Sequence, residues 1–368
     1  MDLRSPQLPV KCGKGGYIQP VSRLNPCRLA HLHSEAGVCP RFFGILLTAV
    51  LLMPWTPALA QSTGAIDGYT LGFVFDSRTS GLKPLVGIPG AALLGAQLDT
   101  GLPVRQAFVS PRQNFAIALT DTGVVLATFS SATDPPTMSS LGFDSSAAAV
   151  AALSPDGSAA AFYGSEEALI RVVTGLPDAP VIARTVPANA IPGTIRLLAI
   201  TNDASQIVAA ADTADTESLL RIDADGSART LANPAHASAL QFVGGSNDLL
   251  VADDSADTVT LVQDVSGSAA VQPVAAAPDG VAGPIGLNVS LDGQHIVVAN
   301  ARAGNILVLT RNGPAATYPC PCTPAGLGRL NGNAVFLLKG ISDNGPLWIF
   351  DGDNPTPRAL FIPADSDQ

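Results

Sequence analysis

A recurring unit of four short strands, an apolar body poor in charge and aromatics, and turn residues at regular spacing together predict an all-β fold. The architecture they predict is a β-propeller of about seven four-stranded blades. Of the 368 residues, 47% are hydrophobic, 14% charged and only 5% aromatic, with 35 Gly and 30 Pro. Such a chain buries a large core of Ala, Val, Leu and Ile, which excludes disorder for most of its length. Short aliphatic runs punctuated by Gly, Pro, Asp and Asn are the all-β pattern.

The repeat is clearest in the second strand of each unit. Seven segments align: Gly72–Asp76 (GFVFD), Ala116–Asp121 (AIALTD), Ala159–Gly164 (AAAFYG), Ile207–Asp212 (IVAAAD), Leu249–Asp253 (LLVAD), Ile296–Asn300 (IVVAN) and Val335–Lys339 (VFLLK). Their ends lie roughly 40 to 48 residues apart, the length of a blade unit. Pro155-Asp156-Gly157 and Leu291-Asp292-Gly293 fall between first and second strands. Asp225-Gly226, Asn312-Gly313 and Asp351-Gly352 fall between third and fourth. Tight turns want Gly or Asp at such places for positive φ. Helical periodicity is absent, which disfavours βαβ units. A β-helix has shorter coils and a sandwich fewer strands, so about twenty-eight strands point to a propeller.

Closure is the least determined feature. The last unit is complete, from Gly326–Leu330 through Ala359–Pro363, whereas the first lacks an innermost strand. Either Ala65–Tyr69 supplies that strand or the two ends share a blade, and six or eight blades stay open. A closed ring removes free sheet edges, so a monomer is expected.

The first sixty residues read differently. Residues 42–53 (FFGILLTAVLLM) form a short apolar run after Arg41, followed by Pro54, Pro57 and Ala58-Leu59-Ala60. Basic flank, apolar core and A-x-A exit are the parts of a secretory signal peptide, with cleavage expected after Ala60. The run is short of the roughly 20 residues of a membrane span, although an uncleaved anchor is the alternative. Residues 1–60 are therefore leader and 61–368 the propeller domain, secreted or periplasmic. The leader carries six basic residues against two acidic, +4, and the remainder fourteen against twenty-eight, −14. An acidic body without basic clusters excludes a nucleic-acid partner and gives no attraction to anionic lipid.

Val289–Val308 (VSLDGQHIVVANARAGNILV) resembles the repeat of YVTN-type, WD40-like bacterial β-propellers, whose units read S-P-D-G, an apolar strand, N, then another strand. Leu153–Gly157 (LSPDG) is similar to the same turn. Thr201-Asn202-Asp203 and Gly245-Ser246-Asn247 are degenerate versions, and Ser110-Pro111-Arg112-Gln113 keeps half of it. The resemblance implies fold and no particular reaction.

Two constellations are candidate sites. Second–third turns and blade-joining loops share a rim, so Asp76, Asp121, Asp212, Asp253, Asp254 and Asn300 are expected there as a ligand-binding rim. Such carboxylates suit Ca²⁺ or a cationic ligand. The competing reading is that they cap strand ends by accepting backbone N–H bonds, and no loop carries a D-x-D-x-D-G calcium pattern. Cys320 and Cys322 are the only cysteines after the leader. They read as a local disulfide, as free thiols, or as a redox or soft-metal pair.

Catalytic signatures are sparse. His236, in a blade-joining loop, and His295, beside the Asp292-Gly293 turn, are the only body histidines, and Glu166, Glu167 and Glu217 the only glutamates. G-x-S-x-G, H-E-x-x-H and C-x-x-C are absent. Trp348 in Leu347–Asp351 (LWIFD) reads as core packing. The expectation is a non-catalytic binding or scaffold module for a protein, glycan or small ligand. The alternative is a lactonase-like hydrolase with a metal on Asp121, Asp212, Asp253 and Asn300. A third reading gives Cys320 and Cys322 a thiol-linked role.

Overall fold

A strand apolar at every position must bury both faces, and the second strands do so. In Ala159–Gly164 all six residues are buried. Ala159, Ala161 and Tyr163 pack with Ile207, Ala209 and Ala211 of the following blade, while Ala160 and Phe162 pack with Phe115 and Ile117 of the preceding one. Side chains alternate across the strand, so one strand serves two interfaces. The outer strands have solvent on one side, and Val181–Pro187 is mostly exposed.

The computed structural model describes residues 68–363 apart from 214–215, 312 and 342–344. The expected leader, its cleavage point and residues 65–67 lie outside the described residues. The chain divides into two units, Met1–Gly64 and Ala65–Gln368, and everything described belongs to the second. It is a seven-bladed β-propeller of antiparallel sheets: a three-stranded first blade and six four-stranded ones, each built from consecutive strands. The only helical segments among the described residues are the short 3₁₀ turns Ser145–Ala148 and Ala277–Asp279. All seven aligned segments are the strands expected, and Asp121 lies just beyond its strand, Phe115–Thr120.

Of the two forms of closure expected, a blade shared by the two ends is not seen among the described residues, and the other, a strand at Ala65–Tyr69, falls largely outside them. The last blade is complete in its own strands, Gly328–Arg329, Val335–Lys339, Leu347–Asp351 and Arg358–Ile362, so among the described residues the two ends share no sheet. Among the described residues the first blade begins with its second-type strand, Thr70–Asp76. Side chains bridge the seam. Gln113, buried in the turn of the second blade, accepts the Phe73 N–H at 2.6 Å and donates to the Arg329 carbonyl at 2.5 Å. Asn331 donates its backbone N–H to the Leu71 carbonyl at 2.8 Å and its side-chain amide to the Thr70 carbonyl at 2.9 Å.

Antiparallel order puts the first–second and third–fourth turns on one rim, the turn rim. Second–third turns and blade-joining loops form the opposite, strand-end rim. No helix among the described residues is long and apolar enough to cross a membrane.

Candidate functional site

At the strand-end rim each expected residue has local partners. Asp76, fully buried, accepts the Arg78 N–H at 3.0 Å and meets Lys83 Nζ at 3.2 Å and Arg78 Nε at 3.3 Å. Burial pushes its carboxyl up, but bonds and charge from Arg78 and Lys83 hold it on balance below the ordinary value. Asp253 accepts four backbone N–H groups: Ala235 at 2.7 Å, His236 at 3.2 Å, Ser255 at 3.1 Å and Ala256 at 2.8 Å. Asn300, also buried, accepts from Ala282 N–H at 3.1 Å and donates to the Gly280 carbonyl and Asn305 Oδ1. His236 lies on this rim, with Nδ1 2.6 Å from Asp254 Oδ1.

Arginines complete the pattern, and sequence reasoning passed over them. Arg105 pairs with Asp121, and Arg196 Nε lies 3.1 Å from Asp212 while its Nη2 lies 2.7 Å from buried Glu217. Both arginines occupy the extra residue of a β-bulge in the inner strand, which turns the side chain toward the rim. Each precedes its aspartate by sixteen positions, and that repeated offset was the available signal. Among the described residues no three His, Cys, Asp or Glu side chains are grouped so as to hold a metal ion.

Cys320 and Cys322 form a disulfide, with Cα atoms 5.0 Å apart. Both pack into the interface between the sixth and seventh blades, with Phe336 and Phe350, and Trp348 is half-buried in the same cluster.

Three turns of the turn rim share one motif. Ser154, Thr201 and Ser290 each donate a hydroxyl bond to the carboxylate two residues on, Asp156 at 3.0 Å, Asp203 at 2.6 Å and Asp292 at 2.6 Å. Each carboxylate also accepts a backbone N–H two residues further, at 2.9 to 3.0 Å. The Thr201 and Ser290 hydroxyl bonds hold Asp203 and Asp292 below the ordinary carboxylate range. For Asp156 burial acts upward, and bonds from Ser158 and Ser154 outweigh it. His295 follows this turn, with its N–H on Ser290 Oγ at 2.9 Å.

Among the hollows of this rim, two adjoin. One, of about 320 Å³, lies where turns from the second to the seventh blade converge and includes Arg112, Asp156, Asn202, Asn288 and Arg329. The other, of about 700 Å³, lies between the fifth and sixth blades. Val243, Gly244, Val289 and Gly293 line both, so they form one cleft running outward from the axis. Half-buried Leu261, Val274, Ile296 and Leu309 wall its outer part. Burial pushes Arg329 down to about 10, with Asp353 opposing, so it stays cationic at neutral pH.

The fold and both rims thus define a seven-bladed propeller with an open turn rim. No protein-family model and no curated protein matches the chain. Among solved structures it is similar to a functionally unknown protein from Desulfotomaculum acetoxidans DSM 771, at 15% identity and a TM-score of 0.53, covering 80% of this chain and 100% of that one. It is also similar to a Bacteroides fragilis protein provisionally assigned as a 6-phosphogluconolactonase, at 13% identity and a TM-score of 0.52, covering 80% and 97%. At such identities the likeness is one of fold alone.

Proposed function

We propose that the chain is a non-catalytic binding propeller that works outside the cytoplasm and takes its ligand in the turn-rim cleft between the fifth and sixth blades. The observation that carries this is the cleft itself. Its volume falls within the ~300–1,000 Å³ of small-molecule sites, and its walls combine aliphatic side chains with a few polar groups. The polar residues of the opposite rim have structural duties, which supports placing recognition here. The Ser/Thr–Asp turns support kinship with YVTN-type repeats, and the Cys320–Cys322 bond supports an oxidising compartment.

The test is a thermal-shift screen of glycans, peptides and small amphiphiles against the wild type and Leu309→Arg, which places a charge in the cleft. Ligands that raise the wild-type midpoint are expected to leave the variant's unchanged. Hits that stabilise both equally would remove the cleft from the reading. Ca²⁺ and EDTA arms address the lactonase-like alternative. A midpoint raised by Ca²⁺ and insensitive to it in Asp212→Asn would favour that alternative.

A further inference from the structure

The cleft is electrically polarised. At its axial end the lining carries Arg112 and Arg329 with one carboxylate, Asp156, while Asp353 acts on Arg329 from behind the lining; at its outer end Arg311 stands against Asp248 and Asp279. In a body of net charge −14, a locally positive pocket at the axis is a departure that calls for a cause.

Arg329 is that cause. Arg78, Arg105, Arg171, Arg196, Arg221 and Arg302 each meet a carboxylate within ion-pair distance. Arg329 meets only neutral oxygens: the Asn333 carbonyl at 3.2 Å, Asn288 Oδ1 at 3.0 Å and the Val289 carbonyl. Those bonds use three of the five N–H donors of a guanidinium. Asp353 acts on it only through space, because its carboxylate accepts the backbone N–H groups of Asn333 and Ala334 at 2.8 and 2.7 Å. The guanidinium also lies 5.2 Å from the Phe336 ring centroid, which fixes its plane. A half-buried, oriented cation with donors to spare suits a carboxylate or phosphate, which takes paired N–H bonds.

The second cation is adjustable. Arg112 is exposed, and its contact with Asp156 is a single one at 3.3 Å, so it can turn toward an incoming anion at small cost. Leu291, which lines the axial hollow while 69% exposed, adds an apolar surface beside the charge.

We propose that the axial end of the cleft is an oxyanion site. It holds the carboxylate or phosphate of an amphiphilic ligand against Arg329 and Arg112, while the apolar body of that ligand lies outward along Ile296, Leu309, Leu261 and Val274. The inference rests on the turn rim being the ligand face, and it names the chemical class that this face takes.

The experiment is calorimetric titration of the protein with decanoate, decyl phosphate and decanamide, which share a tail and differ in head. Both anions are expected to bind at least tenfold more tightly than the amide. In Arg329→Gln that preference disappears while decanamide affinity is unchanged, and in Arg112→Gln it falls about threefold. Arg112→Gln guards against misfolding, because the residue is exposed and bonded at one point. Decanoate alone showing the preference identifies the head as a carboxylate, and decyl phosphate alone identifies it as a phosphate. Equal binding of all three, with Leu309→Arg abolishing it, overturns the oxyanion site and leaves the cleft. An anion preference that survives both arginine variants overturns it as well. Failure of all three ligands overturns the amphiphile class, while the broader screen against Leu309→Arg decides separately whether the cleft binds anything.

Discussion

The two rims use the same residue types to opposite ends. On the strand-end rim, carboxylates and amides reach across to neighbouring loops. Asp253 alone ties four N–H groups of two segments, and Arg196 ties Asp212 to Glu217. On the turn rim Asp156, Asp203 and Asp292 each fold back on their own turn, as Asp203 does with Thr201 and Ser205, and reach neighbouring turns only through the single contacts of Asp156 with Arg112 and Asn202 and of Asp292 with Asn333. Acidic residues that bond across the blade consume their own charge. Those that bond within a turn leave the space between turns to other groups, and there the cleft and Arg329 are found.

Substitutions separate the two rims. Asp253→Ala should have the largest effect, because it strands backbone donors at a buried site. A loss of about 3 kcal/mol is expected in chemical denaturation, without change in cleft binding. Weakened binding in that variant would mean that the rims are coupled.

The seam gives the next largest effect. Gln113→Ala removes three side-chain bonds, two of them across the seam, and should cost about 2 kcal/mol. Residue 113 has a φ of 58°, a conformation costing a side chain roughly 1–2 kcal/mol, so Gln113→Gly should retain about 1 kcal/mol more stability than the alanine variant. Equal losses for both would show that the backbone there is unstrained.

The smallest effect is one of pH. Asp203 is held below its ordinary 3.8 in the folded chain, so its contribution is present above that value and lost as pH falls through the folded value. Asp203→Asn should therefore be less stable than wild type at neutral pH, with the gap narrowing below about pH 4. A gap constant down to pH 2 would remove the turn's charge from the account.

The sheets were legible in the amino-acid pattern because each second strand is buried on both faces. AAAFYG and IVAAAD are unbroken runs of small and apolar residues, and Asp marks the end of the second. The positive-φ turns at Gly157 and Gly293 were legible for a related reason, since they lie at 73° and 69°. The seam was not. Gln113 reads as a degenerate turn residue, and its partners Phe73 and Arg329 lie 40 and 216 residues away. The rim aspartates sit at strand ends, and their cations were missed because a bulge, invisible to alternation, turns Arg105 and Arg196 toward them. The cleft belongs to the space between sheets and has no motif of its own.

The seam also decides how such a ring would come apart. Because no strand among the described residues is shared by the seventh and first blades, parting them breaks a clasp of side chains and an apolar contact but leaves each described sheet's own ladder whole. A propeller with interwoven ends must unravel a sheet before it can open. This one has a designated place to split, and its earliest excursions from the closed circle should begin there.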